Sequence, residues 1–351
     1  MLHRFAMFVA GCTVLLVFAG SLVTSTGSGL SVPDWPTTYG WNMFAFPPSK
    51  WVGGILYEHG HRLIASTVGL LTIVLAVWLA VQDPRRWMKW LGAGALGAVI
   101  AQGVLGGLTV LLFLPAAVST AHAGLAEIFF CMTVAIALFT SPGWIEAYGG
   151  NIADDRSLRL AATTTTALVY LQMLVGAVMR HTGAGLAIPD FPLMFGHLWP
   201  THWNPKIAIH FTHRAGALVV ALAVTTTSAM VWSRAGRDRG LTRPAALLVA
   251  LAAVQITLGA FTVLTRRDVW INSVHVVCGA LVLTASLVLT LRTWRTKFAT
   301  ASRQRVGFQD VRLKPGASLK PGPALKPDAT PGAMPKLNNG PDAGGARAWR
   351  A

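Results

Sequence analysis

Four histidines stand where an apolar chain has least use for them. Tyr57-Glu58-His59-Gly60-His61-Arg62 lies near the start of one strongly apolar stretch, and Ile209-His210-Phe211-Thr212-His213-Arg214 opens another in the same way. His122 and His275 sit in two further stretches, each 20 residues after a glutamine, Gln102 or Gln255. Imidazole is the commonest metal-ligating side chain, and a buried imidazole without a partner is costly, so matched histidines in apolar segments point to metal chemistry. A carboxylate, Glu58, accompanies the first pair only; the matching position in the second copy is His210.

About 20 residues cross a hydrocarbon core, and counting back from one end of each even-numbered apolar segment puts His61, His122, His213 and His275 at a common depth. Two imidazoles per unit, on non-adjacent helices, suit axial ligation of a haem iron across a four-helix bundle. No cysteine or carboxylate cluster completes a small zinc or copper site. Interhelical hydrogen bonding is the competing use of a membrane histidine. His59 lies about 200° around a helix from His61, so both cannot face one iron, and a surface or interhelical place is expected for it. Glu58 shares the face of His61, one turn away, where it serves either as a partner for Arg62 or as a proton acceptor and donor beside a bound haem. Arg62 and Arg214 follow the ligand histidines and suit forked hydrogen bonds to haem propionates; snorkelling to headgroups is the alternative. Gln102 and Gln255 read as interhelical hydrogen-bonding residues. Gly103, Gly106, Gly107 and Gly259 allow close approach of a helix or a porphyrin.

The elements that position these residues follow from composition. The chain has 351 residues, 53% hydrophobic and 12% charged, with a mean hydropathy of +0.54. That excludes an ordinary soluble domain and defines an all-α polytopic membrane protein. Eight spans are expected at about Phe5–Ser25, Trp51–Val81, Trp90–Leu112, Ser119–Thr140, Leu160–Met179, Pro205–Trp232, Pro244–Thr265 and Val269–Leu291. The net charge of +16 flanks the spans and fills a tail, without a basic patch interleaved with aromatics, which argues for membrane topology and against nucleic acid. Arg85, Arg86, Lys89, Arg156, Arg159, Arg234, Arg237, Arg239 and Arg243 gather on one side, leaving mainly Lys50, Lys206, Arg266 and Arg267 on the other, so both termini are expected in the cytoplasm of a bacterial-type inner membrane. Cys12, Cys131 and Cys278 all fall inside apolar spans, so no disulfide framework is implied.

The segment Gly20 to Pro36, ending Pro33-Asp34-Trp35-Pro36, aligns without a gap on Gly176 to Pro192, ending Pro189-Asp190-Phe191-Pro192. Each copy has an even number of spans, so the repeats are parallel and give two four-helix bundles. The expected organisation is an N-terminal bundle at 1–141, a linker at 142–158, a C-terminal bundle at 159–292 and a disordered basic tail at 293–351. The Pro-Asp-Trp-Pro and Pro-Asp-Phe-Pro loops read as rigid lids or interfacial anchors.

Together Glu58-x-x-His61-Arg62, His122, His213-Arg214, His275 and the Thr-Gly-Ser-Gly-Leu…Pro-Asp-Trp-Pro loop resemble the haem A synthases, from the first helix to about Leu291. The resemblance implies oxidation of the C8 methyl of haem O to a formyl group through a hydroxymethyl intermediate, giving haem A for terminal oxidases. It implies that His213 and His275 hold a permanent haem b and its iron, while His61 and His122 bind the haem O substrate with Glu58 beside it. It further implies an electron acceptor and a haem O synthase as partners, besides membrane lipid. Many members carry a cysteine pair in the outer loops, which this chain lacks. Exposed small-residue faces permit a homo-oligomer. A dihaem b-type cytochrome for electron transfer is the alternative, but it gives the single carboxylate no purpose; a permease leaves the four histidines unused.

Overall fold

The computed structural model describes residues 1–145 and 155–312, with side chains to residue 295. Helices account for nearly all of it: α1 (Leu2–Ser25), α2 (Gly54–Gln82), α3 (Arg86–Leu111), α4 (Ala116–Phe139), the short α5 (Pro142–Ile145), α6 (Arg156–His181), α7 (Pro205–Ala235), α8 (Arg239–Leu264) and α9 (Val269–Arg312). Eight of these are long and apolar enough to cross a membrane, and the protein is a multi-pass membrane protein. Several helices begin earlier than the apolar runs suggest, because polar residues outside the hydrocarbon still cap and extend them. Asp155, Asn204 and Asp238 each accept a backbone N–H at the start of α6, α7 and α8.

Buried apolar side chains form two clusters. One joins Ala6 and Val9 of α1, Leu75 and Leu79 of α2, Met88 and Ala95 of α3, and Phe129 and Ile136 of α4. The other joins Leu158 and Val169 of α6, Val224 and Val231 of α7, Leu241 and Leu248 of α8, and Val282 and Leu289 of α9. Helices α1 to α4 pack around a ring, with α1 against α2 and α4, and α3 against α2 and α4. Helices α2 and α4, which carry His61 and His122, therefore lie across the ring from each other. The halves meet where α4 packs on α6, and where Ser25 of α1 bonds Asn272 and Ser273 of α9.

The last apolar span ends at Arg295, close to the expected 291, while α9 continues as a helix to Arg312, into the segment expected as a disordered tail. Its continuation contains Ala, Arg and Gln, which favour helix once the apolar pattern has stopped. The rest of the expected tail, from 313, and residues 146–154 of the linker lie outside the described residues.

At the end of the molecule opposite the N-terminus, two loops close over the helices with the same geometry. Thr38 bridges Trp41, and Met194 bridges His197. The turn residues Tyr39 and Gly40 have φ of 51° and 75°, and Phe195 and Gly196 have 58° and 78°. Two successive left-handed residues make a tight reversal, and glycine at its second position takes that conformation freely. Asp34 accepts from the amides of Tyr39 and Gly40 and from the Thr37 hydroxyl; Asp190 accepts from the amides of Phe195 and Gly196. Partial burial works to raise both carboxyls, but the bonds they accept prevail and hold them below the usual carboxylate range.

A depressed folded-state value means that the tie is complete above the ordinary carboxylate range and is lost as pH falls through the lower, folded-state value. Amide exchange at Tyr39 and Gly40, corrected for intrinsic rate, is therefore expected to stay protected from about pH 8 to about pH 5 and to loosen below about pH 4. Asp34→Ala should remove the protection at every pH, by roughly tenfold or more.

Candidate functional site

The four histidines occupy four equivalent notches. The Cε1 edge of each ring lies where the neighbouring helix presents a glycine. A β-carbon placed on Gly20 of α1 would stand 3.0 Å from His61, and one on Gly106 of α3 would stand 3.2 Å from His122. In the second half, Gly176 of α6 takes His213 at 3.0 Å and Gly259 of α8 takes His275 at 3.1 Å. All four distances are closer than an ordinary side-chain contact, so glycine is what lets the rings turn inward. His61 and His122 are near enough to act on each other electrostatically, as are His213 and His275.

The Nδ1 atoms of His61, His122 and His275 are buried and have no hydrogen-bond partner. An unsatisfied polar atom in an apolar interior costs about 1–3 kcal/mol, so three of them in equivalent places are not explained by packing. Among the described residues no group of three or more His, Cys, Asp or Glu comes together as a metal cluster. Each half therefore offers two imidazoles and no further ligand. That donor set fits a metal whose remaining positions are filled by a macrocycle, as in a haem.

Gln102 donates to the His122 carbonyl at 2.8 Å, the interhelical role expected of it. Gln255 approaches His275 Nε2 at 3.5 Å, at the limit of a hydrogen bond. A third glutamine escaped the sequence reading. Gln172 of α6 donates to the His213 carbonyl at 2.7 Å and lies 3.1 Å from its Nδ1. The absence of a side chain on Gly216 makes room for it. At the matching positions the first half has Leu16 and Ile64, so the comparison of halves held a signal that counting histidines does not reveal. Glu127 of α4 was missed as well. It is 7% exposed and its Oε2 is buried without a partner, while its counterpart is Ala280.

Glu58 is 3% exposed at the mouth of the first half. Its Oε1 takes Arg62 Nη2 at 2.6 Å and its Oε2 takes the Val32 amide at 2.8 Å. Arg62 also donates to the carbonyls of Val32, Asp34 and Thr37. His210 repeats the arrangement with different chemistry. Its Nδ1 lies 3.2 Å from the Ile188 amide and its Nε2 lies 3.2 Å from Arg214 Nε, and a neutral imidazole accepts only one of these two N–H groups. Arg214 in turn donates to the carbonyls of Ile188, Asp190 and Leu193. Both arginines thus tie the loop to the helix that carries His61 or His213.

His59 is not at the surface. It is fully buried, packed between Phe46 and Trp51 at ring distances of 5.1 and 4.9 Å, with Nδ1 3.2 Å from the Thr38 hydroxyl. The loop folds back over α2, a tertiary contact that helical periodicity does not report. Of the other glycines, Gly107 receives the Trp35 indole, whereas Gly103 has nothing within 4 Å.

Eight long apolar helices with loops closed over one end define a multi-pass membrane protein. Residues 3–287 match the family COX15-CtaA, cytochrome oxidase assembly protein, and the chain belongs to that family. It is 32% identical over 267 residues to a heme A synthase of Symbiobacterium thermophilum, covering 73% of this chain and 84% of the relative. A heme A synthase of Alkalihalophilus pseudofirmus is 26% identical over 79% of this chain and 92% of its own length. One of Geobacillus kaustophilus is 25% identical over 84% and 94%.

Adding a branched side chain to a notch tests its role. Gly176→Val should displace His213 and destabilise the protein by about 1–3 kcal/mol, read as a lower Tm in detergent. Gly103→Ala should leave Tm unchanged.

Proposed function

We propose that this protein is a haem A synthase, oxidising the C8 methyl of haem O to a formyl group. The observation that carries the reading is the contrast between Glu58 and His210. Each stands between the amide of a loop residue and the arginine one turn on, so a histidine fills the same place between loop and helix, although its ring accepts one N–H where the glutamate accepts two. What Glu58 adds is a carboxylate. We assign the first half, with His61 and His122, to the haem O substrate and the second, with His213 and His275, to a resident haem b. The family match and the relatives' names support this reading.

In the first half, His61 and His122 would hold the substrate, and Glu58 would take up a proton as a C–H bond of its methyl is broken; water supplies the oxygen, each of two successive oxidations releases two electrons and two protons, and the hydrated aldehyde formed after the hydroxymethyl stage loses water to give the formyl group. The loop over α2, held by Arg62, Asp34 and His59, keeps bulk water from the reacting edge. Arg62 and Arg214 also place positive charge at each mouth, suited to the carboxylates of a porphyrin. In the second half His213 and His275 would ligate haem b, which supplies one-electron chemistry when bound. Gln172 fixes the orientation of His213. The electrons leave to an external acceptor. A haem O synthase is the natural source of substrate.

We further infer two copies of one four-helix unit, related by an axis along the membrane normal. The reciprocal contacts, α4 on α6 and α9 on α1, support it. With the positive residues counted above, both termini face the cytoplasm and the loops face outward.

The decisive experiment is co-expression with a haem O synthase in cells lacking haem A, followed by identification of extracted haems by chromatography and mass. The wild-type chain should yield haem A or its hydroxymethyl precursor. Glu58→His, which reproduces the second half's tie, should keep the fold and the resident haem while conversion falls by roughly 100-fold or more. Undiminished conversion in that variant would reduce Glu58 to a loop tie.

A further inference from the structure

At three matched positions the second half carries an arginine where the first has an uncharged residue; Arg266 replaces Phe113, and the other two bear on the site. Arg180, near the end of α6, replaces Thr24, and Arg267, in the turn after α8, replaces Leu114. The backbones match: Phe113 and Leu114 have φ of 61° and 59°, and Arg266 and Arg267 have 53° and 68°. Leu114 covers Gly29 as the Arg267 side chain covers Gly185. The difference between the halves is therefore one of charge on a common frame.

Arg180 gives one Nη to the Ser21 carbonyl and the Ser25 hydroxyl, both at 2.8 Å. Its Nε is buried with no partner. Ser25 also bonds Asn272 and Ser273 of α9, one turn before His275. The guanidinium lies within electrostatic reach of both the His275 ring and Arg267. Among the described residues neither Arg180 nor Arg267 is ion-paired. Two neighbouring cations, one partly withdrawn from water and with a donor to spare, call for an anion that the protein itself does not provide.

We propose that Arg180, with Arg267, is a carboxylate-binding site that anchors a propionate of the porphyrin held by His213 and His275. It rests on the haem reading above and deepens it. A resident haem must stay while a substrate haem must leave, and an anchor that the second half has in addition to the mouth arginine common to both halves produces that difference in retention. Charge-assisted bonds to a carboxylate are roughly twice as strong as neutral ones. Thr24 and Leu114 offer the first porphyrin no such bond.

The test uses the full-length protein loaded with haem B, and follows transfer of the bis-histidine haem to excess apomyoglobin together with a redox titration. Arg180→Gln should retain the bis-histidine spectrum but release the haem about 10- to 100-fold faster. Its midpoint potential should fall, because a cation that disfavours the ferric state has gone. Loading with haem B dimethyl ester, which has no carboxylates, should erase the difference between wild type and variant. Equal release rates with haem B, or a difference that persists with the ester, would make Arg180 only a tie to Ser21 and Ser25 and overturn the proposal. A wild-type release rate that follows the anionic lipid content of the nanodisc and ignores esterification would assign the site to a lipid phosphate instead. Should Arg180→Gln fail to fold, Arg267→Gln is read by the same cycle, with the same direction and a smaller effect. A wild-type protein with no bis-histidine spectrum would overturn the haem reading itself, an outcome separate from loss of the Arg180 effect.

Discussion

Contact between an imidazole edge and a glycine backbone governs this molecule. In an interior packed as densely as a crystal, a ring can turn into the space between helices only where the neighbouring helix yields the volume of a side chain. Gly20, Gly106, Gly176 and Gly259 yield it, each on the helix next to its histidine. Helix spacing, ring orientation and the distance across each half all follow. The arrangement leaves the Nδ1 atoms of His61, His122 and His275 buried and unpaired.

The loops complete the arrangement. A membrane interior offers backbone groups no water, so irregular chain is tolerated only where it is pinned and roofed over protein. Arg62 and Arg214 do the pinning through loop carbonyls, and Asp34 and Asp190 close the turns. The same guanidinium that holds the loop also meets the residue one turn before the ligand histidine. Loop order and site electrostatics are consequently parts of one hydrogen-bonded unit, and a change in either reaches the other.

Much of this was legible in the sequence because membrane segments announce themselves by length and apolarity, and because the chain repeats. Spans, histidine pairs and the isolated Glu58 all follow from those two facts. What was illegible depends on residues meeting across helices or through loops. His59 reads as a surface or interhelical residue until the loop is seen to fold over it. The role of Gly106 could be stated only as close approach, since nothing local says that its neighbour is a ring. Gln172 needs the void at Gly216, and no periodicity links positions on different helices. The continuation of α9 past the apolar run reflects helix propensity acting where hydropathy has stopped.

One small asymmetry reaches further. In the first half the Trp35 indole rests on Gly107, whereas the corresponding positions in the second are Phe191 and Ala260. The larger ring goes with the smaller helix residue and the smaller ring with the larger, so volume has been exchanged between a loop and a helix far apart in the chain. A side chain added at Gly107 would collide with the Trp35 indole, so loop and helix in the first half form one packed unit over the site.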